Sequence, residues 1–141
     1  MSVTTQDKQI LFVCIENAGR SQMAEGFAKS MGLNASSAGT NPLPNVYPTV
    51  IGVMRERGLD ISKNRPTILT PEMLDRAQLV VTMGCSLEQL CPRPMLAKFQ
   101  KKVVDWDLED PKNKSISEVR KIRDEIENRV KQLATNIAAL P

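Results

Sequence analysis

Residues 10–23 are Ile10-Leu11-Phe12-Val13-Cys14-Ile15-Glu16-Asn17-Ala18-Gly19-Arg20-Ser21-Gln22-Met23, and they join an apolar run to the start of a predicted helix. The run from Ile10 to Ile15 is β-branched, aromatic and uninterrupted, which is typical of a strand buried on both faces. From Arg20 onward, apolar residues recur at helical spacing as far as Gly32, where we expect the helix to stop. These residues are Met23, Ala24, Phe27, Ala28 and Met31. The pattern predicts a strand, a short loop and a helix, with Cys14 where strand and loop meet.

A loop between such a strand and such a helix directs backbone N–H groups, and the positive end of the helix dipole, at one point. We expect five amides to contribute, those of Ile15, Glu16, Asn17, Ala18 and Gly19. Gly19 also permits close approach of the backbone to a bound group. Arg20 supplies a planar guanidinium that can hold two oxygens of a phosphate-like anion. The loop therefore predicts a binding site for a tetrahedral oxyanion.

Cys14 would lie at the floor of this site, where the electrostatic field favours the thiolate and makes it a nucleophile. Ser21 can donate a hydrogen bond to the sulfur. Because the chain contains no histidine, activation by a Cys-His pair is excluded. The alternative is an inert, buried cysteine at the end of a strand, followed by an ordinary surface arginine. The combination of strand, glycine, serine and helix favours the nucleophile.

The length of 141 residues fits one domain over residues 1–141, with residues 1–8 expected to be a flexible N-terminus. A net charge of +3 and an aromatic content of 4% give no sign of nucleic-acid binding. The chain shows neither the apolar core of a signal peptide nor a stretch of membrane-spanning length. We therefore expect a cytoplasmic monomer without nucleic-acid or membrane partners. Three cysteines in a reducing compartment suit catalysis better than structural disulfides, and zinc is not expected without histidine or a Cys-x2-Cys pair.

Short apolar runs alternate with helical patterns along the rest of the chain. Further strands are predicted at Ala35–Gly39, Leu79–Met83 and Val103–Trp106, and helices at Pro48–Arg57, from Thr70 to Ala77, and after Ser115. This order predicts an α/β domain with a parallel sheet covered on both faces, where ligands bind beyond the carboxyl ends of the strands. Cys14, Cys85 and the acidic loop with Asp107, Glu109 and Asp110 would then share one end of the sheet.

From about Ile10 to Leu133 the chain resembles the thiol-dependent arsenate reductases built on the low-molecular-weight tyrosine phosphatase fold. The resemblance is carried by Cys14 to Arg20, Ser21-Gln22-Met23-Ala24-Glu25, Thr82-Met83-Gly84-Cys85, Cys91-Pro92 and Trp106 to Pro111, in family order. It implies a four-stranded parallel sheet flanked by helices, with the anion loop after the first strand. It also implies arsenate as substrate, a loop that phosphate or sulfate would fit as well, and no bound cofactor.

The resemblance implies a role for each cysteine. Cys14 would attack arsenate, and Asp110 would protonate the departing oxygen, a task for which a carboxylic acid is competent. Cys85 would then attack the Cys14–arsenic adduct, and Cys91 would take over the disulfide, which thioredoxin or a small thiol would reduce. The alternative for Asp110-Pro111 is a simple turn, and the alternative for Cys85 and Cys91 is two small buried apolar residues.

Two other functions remain open at this point. A tyrosine phosphatase would use Cys14, Arg20 and Asp110 in the same way, but its relatives often carry tyrosines directly after Asp-Pro, where this chain has Lys112 and Asn113. A phosphocysteine carrier or redox-sensing protein would have little need of the acid at Asp110. Ester hydrolysis needs one thiol, whereas reduction of arsenic(V) to arsenic(III) needs electrons from a second, so Cys85 and Cys91 favour the reductase.

The chain departs from the family pattern at several places, including the anion loop and the potassium site beside it. Glu16 puts an acid where an anion must pass, and we expect its side chain to point to solvent. Some relatives bind potassium beside the loop; Asn17, Glu25 and Ser37 match that site, whereas Thr67 stands where an acid is usual. We therefore assign no metal and keep potassium near these three residues as the one cation that the resemblance would imply.

Overall fold

The computed structural model describes residues 9–83 and 103–137. The strands are β1 (Gln9–Cys14), β2 (Asn34–Gly39), β3 (Leu79–Thr82) and β4 (Val103–Asp105), and the helices are α1 (Arg20–Ser30), α2 (Pro48–Arg55), α3 (Pro71–Arg76) and α4 (Ile116–Ile137). Each predicted strand and helix is present, with bounds that differ by one or two residues. The predicted relay residues Cys85 and Cys91, and the N-terminal residues 1–8, lie outside the described ranges.

The four described strands form one parallel sheet in the order β2-β1-β3-β4. Phe12 at the centre of β1 pairs with Ser37 of β2 on one side and with Val81 of β3 on the other. A central strand with neighbours on both sides needs an apolar sequence along its whole length, as β1 has. The predicted α/β class and four-stranded parallel sheet are confirmed.

Alternate residues of β1 face two separate cores. Ile10, Phe12 and Cys14 pack into the larger core, which contains apolar side chains of α1, α2 and α4. Leu11 and Val13 point to the opposite face, where they join a smaller cluster that includes residues of α3. Helices therefore cover both faces of the sheet, as the continuous apolar run predicts. In the part of the chain that the structure describes, no helix is both long and apolar enough to cross a membrane.

Local sequence signals explain where the helices begin and end. The Thr70 hydroxyl accepts the N–H of Met73 at 3.3 Å and caps α3. The Ser115 hydroxyl accepts the N–H of Glu118 at 3.2 Å at the start of α4. Gly32 follows α1 with a φ of 82°, a left-handed conformation that favours glycine and ends the helix.

A buried arginine joins α4 to α2. Arg123, which is only 6% exposed, donates to the Val53 carbonyl at 2.9 Å and to Glu56 at 2.6 Å. Arg120 donates to the same carboxylate at 2.7 Å. The hydrogen bonds from Arg120 and Arg123 lower the pKa of Glu56 to about 2. This charge network holds the two helices together on the side of the sheet that carries α1.

Candidate active site

The loop between β1 and α1 is held from outside by three hydrogen bonds to its carbonyl groups. The carbonyls of Ile15, Glu16 and Ala18 accept the backbone N–H groups of Asn41, Leu43 and Tyr47, respectively, at 2.8–3.0 Å. These donors lie in the segment that follows β2. The loop carbonyls are thus turned away from the cavity that the loop encloses.

The orientation of these carbonyls fixes the direction of the next amides. No cis peptide bond occurs among the described residues, and in a trans peptide the N–H points opposite to the preceding carbonyl. The N–H groups of Glu16, Asn17 and Gly19 therefore face the inner side of the loop. The N–H of Asn17 lies 3.1 Å from the sulfur of Cys14, which agrees with this direction. The loop has the inward amides that an oxyanion site requires.

Gly39 at the end of β2 lets the loop lie close to the sheet. A Cβ atom at this position would lie 2.4 Å from the carbonyl oxygen of Ile15 and 3.0 Å from the amide nitrogen of Asn17. Real side chains do not approach backbone atoms so closely. A glycine is therefore needed at residue 39 for the loop to keep its position.

Cys14 lies at the floor of the cavity and is 3% exposed. Its sulfur is 2.9 Å from the hydroxyl oxygen of Ser21 and accepts the N–H of Asn17. The sulfur is thus contacted by two groups that can donate a hydrogen bond to it. Cys14 and Ser21 are therefore within hydrogen-bonding distance of each other.

The side chain of Asn17 determines which way the Ser21 hydroxyl points. Its Oδ1 accepts the backbone N–H of Thr67 at 2.9 Å, which leaves Nδ2 to donate to the Ser21 oxygen at 2.7 Å. Since Ser21 accepts from Asn17, its own hydrogen is available for the Cys14 sulfur. Asn17 is fully buried and has a φ of 51°, a left-handed conformation that asparagine tolerates well.

Gln22 completes this buried polar network. Its Nε2 donates to the backbone oxygen and to Oδ1 of Asn17 at 3.1 and 3.2 Å, and its Oε1 accepts from Asn64 at 3.2 Å. Sequence analysis missed the side-chain roles of Asn17 and Gln22. The available signal was a pair of amide residues, four positions before and one position after Ser21.

Arg20 stands at the start of α1 with its guanidinium oriented by the acidic loop. One terminal nitrogen donates to the carbonyl of Leu108 at 2.9 Å, and the other lies 3.8 Å from a carboxylate oxygen of Asp110. The side chain of Arg20 is only 11% exposed. The loop after β4 thus fixes the cation beside Cys14, as the shared end of the parallel strands predicts.

Asp110 lines the same cavity as Cys14 and Arg20. One of its oxygens accepts the N–H of Lys112 at 3.0 Å, which is a turn contact, while its side chain is 48% exposed. Asp110 therefore takes part in a turn and also lines the cavity that contains Cys14. The cavity has a volume of about 260 Å³, less than the roughly 300–1,000 Å³ usual for drug-sized ligands.

The sequence predicts that the side chain of Glu16 points to solvent, but in the structure its carboxylate contacts two other side chains. Its carboxylate accepts the hydroxyl of Tyr47 at 2.5 Å on one oxygen and lies 3.5 Å from the ammonium of Lys112 on the other. The expectation is wrong because two partners that are distant in sequence reach the carboxylate from separate loops. Tyr47 was not among the predicted site residues, and its position 33 residues after Cys14 gave no local signal.

Glu25 and Ser37 are in contact, as the resemblance to potassium-binding relatives implies. In the structure their side-chain oxygens form hydrogen bonds within the protein. The Glu25 carboxylate accepts Ser37 at 2.7 Å and Lys29 at 3.0 Å. The Asn17 side-chain oxygen accepts Thr67 and Gln22. Over residues 9–83 and 103–137, no group of three or more acidic or cysteine side chains is arranged to hold a metal ion. Potassium near Asn17, Glu25 and Ser37 therefore stays a prediction, and we assign no metal there.

Comparison with known proteins places the chain in a family. Residues 9–140 match the model of the low molecular weight phosphotyrosine protein phosphatase family. A putative arsenate reductase of Halobacterium salinarum is 37% identical over 130 residues, which cover 86% of this chain and 87% of that protein.

Solved structures agree with this assignment. An arsenate reductase in the phosphate-binding state superposes with a TM-score of 0.80 at 35% identity, covering 92% of this chain and 98% of its own. A thioredoxin-dependent arsenate reductase of Corynebacterium glutamicum has a TM-score of 0.74 at 32% identity and covers 96% of this chain and 64% of its own. The chain therefore belongs to the low-molecular-weight phosphotyrosine protein phosphatase family, and within it to the arsenate reductases.

Proposed function

We propose that this chain reduces arsenate to arsenite by a thiol relay that begins at Cys14. The observation that carries the proposal is the convergence on one small cavity of a buried, doubly hydrogen-bonded cysteine, the guanidinium of Arg20 and the carboxyl group of Asp110. Inward loop amides and Arg20 would hold the arsenate oxygens. A small cavity suits an inorganic oxyanion better than a larger substrate.

In the first step the Cys14 thiolate attacks arsenic, and an S–As bond forms while an As–O bond breaks. Asp110 gives its proton to the departing oxygen, which leaves as water. The arsenic is still in the +5 state in this adduct. Ser21 and Asn17 hold the thiolate in place before the attack, and Arg20 offsets the negative charge of the oxyanion.

The second step is the reduction. Cys85 attacks the sulfur of Cys14, an S–S bond forms, and the electron pair of the S–As bond remains on arsenic, which leaves as arsenite. Cys91 then attacks Cys85, so that Cys14 is released as a thiolate and the disulfide moves to Cys85–Cys91. Both residues lie outside the described ranges. The support for these two roles therefore comes from the sequence and from the family resemblance.

A dithiol protein of the thioredoxin class is the reductant that we propose, and a small thiol is the alternative. It would reduce the Cys85–Cys91 disulfide and return the enzyme to its starting state. A relative with 32% identity bears the name thioredoxin-dependent arsenate reductase, which supports this choice. A relative from Synechocystis, 35% identical, bears the name glutaredoxin arsenate reductase, which supports glutaredoxin as a further alternative.

A steady-state assay with arsenate, thioredoxin, thioredoxin reductase and NADPH tests the proposal. We expect NADPH oxidation that depends on arsenate and disappears in Cys14→Ser. Cys85→Ser and Cys91→Ser should also stop reduction, yet should leave hydrolysis of an aryl phosphate intact if the protein catalyses it. Turnover at the wild-type rate in Cys85→Ser would contradict the relay.

Phosphate monoester hydrolysis is the second candidate, because Cys14, Arg20 and Asp110 are sufficient for it. Attack by Cys14 on phosphorus and protonation of the ester oxygen by Asp110 would give a phosphocysteine that water hydrolyses. Two further thiols have no use in that reaction. A high rate with p-nitrophenyl phosphate and no arsenate-dependent NADPH oxidation would favour the phosphatase over the reductase.

A further inference from the structure

Three side chains from separate segments meet over the mouth of the Cys14 cavity. Glu16 comes from the loop after β1, Tyr47 from the segment before α2, and Lys112 from the turn that follows Asp110. The hydroxyl of Tyr47 donates to one oxygen of the Glu16 carboxylate at 2.5 Å, and the Lys112 ammonium lies 3.5 Å from the other. All three residues line the same cavity as Cys14. We call this set Glu16, Tyr47 and Lys112 the mouth bridge.

The segments that carry the mouth bridge are tightly packed against one another. The N–H of Tyr47 donates to the carbonyl of Ala18 at 3.0 Å. A Cβ atom on Gly19 would lie 2.8 Å from the ring of Pro111 and 3.4 Å from the ring of Tyr47. The absence of a side chain at Gly19 thus lets the Tyr47 and Pro111 rings close in on the loop from two sides. The packing of the backbone therefore fixes the positions of the segments that carry the mouth bridge.

The protonation of Tyr47 and the charges of Glu16 and Lys112 favour the contacts of the mouth bridge. Burial, followed by the hydrogen bond to Glu16, raises the pKa of Tyr47 above its ordinary value, so the phenol remains a hydrogen-bond donor. The carboxylate of Glu16 would by itself repel an oxyanion that enters the cavity. Lys112 offsets this charge, since its ammonium lies 3.5 Å from the carboxylate.

We propose that the mouth bridge determines substrate specificity, by excluding oxyanions that carry an organic substituent and admitting unsubstituted tetrahedral oxyanions. The inference rests on the proposed oxyanion pocket at Cys14. A monoester held by the loop amides must direct its substituent out of the cavity, past the Asp110 loop and Tyr47. The bridge joins these two sides of the cavity lining, so a substituent on that path meets the contacts of Glu16. A free oxyanion carries nothing that must cross the bridge.

Affinity for two non-reacting probes tests the proposal without any reductase assay. Inorganic phosphate and phenylphosphonate are titrated as protectants against alkylation of Cys14 by iodoacetamide, and the modified peptide is measured by mass spectrometry. The half-protecting concentration gives the affinity of each probe, independently of the intrinsic reactivity of the thiol. Tyr47→Phe keeps the ring but removes the donor, and Lys112→Met removes the cation. Lys114→Met is the matched control, because Lys114 pairs with Glu109 at 3.7 Å and does not line the cavity.

We expect the unmodified protein to bind phosphate at least tenfold more tightly than phenylphosphonate. In Tyr47→Phe this preference should fall about tenfold, mainly through tighter phenylphosphonate binding, with a smaller shift of the same sign in Lys112→Met and none in Lys114→Met. An unchanged preference in both bridge variants would overturn the specificity role. Failure of phosphate to protect Cys14 in the unmodified protein would overturn the pocket and the bridge together. A shifted preference in a protein that does not reduce arsenate would uphold the bridge and reject only the proposed reduction.

Discussion

The hydroxyl oxygen of Ser21 lies 2.9 Å from the sulfur of Cys14 and accepts the side-chain amide of Asn17 at 2.7 Å. Because the Ser21 oxygen accepts from Asn17, its own hydrogen is available for the sulfur. The chain has no histidine, so a Cys-His pair is excluded, and the Ser21 hydroxyl and the Asn17 N–H are the groups described in contact with the Cys14 sulfur. The Cys14 sulfur thus lies at one end of a hydrogen-bond network that reaches the backbone of Thr67 through Asn17 and Ser21.

Replacement of Ser21 by alanine removes one of the two donors to the Cys14 sulfur. A hydrogen bond to a charged group contributes about 1.5–3 kcal/mol, so we expect kcat/KM for arsenate to fall about 10- to 100-fold. Ser30→Ala, which removes a hydroxyl bonded to the Phe27 carbonyl at the other end of α1, should have no such effect. Equal activity of Ser21→Ala and Ser30→Ala would show that the Ser21 contact does not support the nucleophile.

Replacement of Asp110 by asparagine distinguishes a role as general acid from a role in the turn. Asparagine can still accept the Lys112 N–H through Oδ1, so the turn survives, but it has no proton to give to the departing oxygen. Loss of general acid catalysis costs about 10²- to 10⁴-fold, and kcat for arsenate should fall accordingly while the melting temperature stays the same. Glu109→Gln, at an exposed neighbouring position, is the control. A decrease in kcat of less than threefold in Asp110→Asn would mean that Asp110 is only a turn residue.

Gly39→Ala tests whether the position of the loop depends on a missing side chain. The added Cβ would lie 2.4 Å from the carbonyl oxygen of Ile15, so the loop must shift, and overpacking of this kind costs about 1–3 kcal/mol. Chemical denaturation should show this loss, and phosphate should protect Cys14 less well. Gly52→Ala in α2 adds a Cβ with nothing within 4 Å and should be neutral or stabilising. Unchanged phosphate protection in Gly39→Ala would contradict the role of Gly39.

Protonation of Glu56 should lower the stability of the folded chain at acid pH. Hydrogen bonds from Arg120 and then Arg123 lower its pKa from 4.5 to about 2 in the folded chain. A lowered folded-state pKa gives stability that is fully present above pH 4.5 and is lost as the pH falls toward 2. Thermal unfolding between pH 2.5 and 7 should therefore show Glu56→Gln less stable than the unmodified protein at pH 7, with the difference shrinking below pH 4.5. A difference that is the same at every pH would exclude this linkage.

Local sequence signals predict much of the fold. The apolar run before Cys14, the helical spacing after Arg20 and the cap at Thr70 each depend on neighbours within a few residues, and each is present in the structure. Parallel strands also share one end, so the meeting of Cys14 with the Asp110 loop follows from the element order alone. These features need no knowledge of how distant side chains pack.

The parts that sequence reasoning missed depend on distant contacts. The contact of Tyr47 with Glu16 requires the path of the chain from β2 to α2, and the bond from Arg20 to the Leu108 carbonyl joins residues 88 positions apart. Neither residue type nor spacing encodes such a pair. The expected solvent exposure of Glu16 was wrong for the same reason, since a carboxylate beside an anion site needs partners that only the folded chain supplies.

A single-turnover experiment tests the central claim that arsenic receives its electrons from the thiols of this chain. The fully reduced protein is mixed with one equivalent of arsenate in the absence of any reductant, and arsenite, free thiols and disulfide-linked peptides are measured together. Our account predicts one arsenite per chain, the loss of two thiols and a disulfide between Cys85 and Cys91, with no arsenite from Cys14→Ser. Formation of arsenite with all three thiols still reduced, or at an undiminished rate in Cys85→Ala, would contradict it.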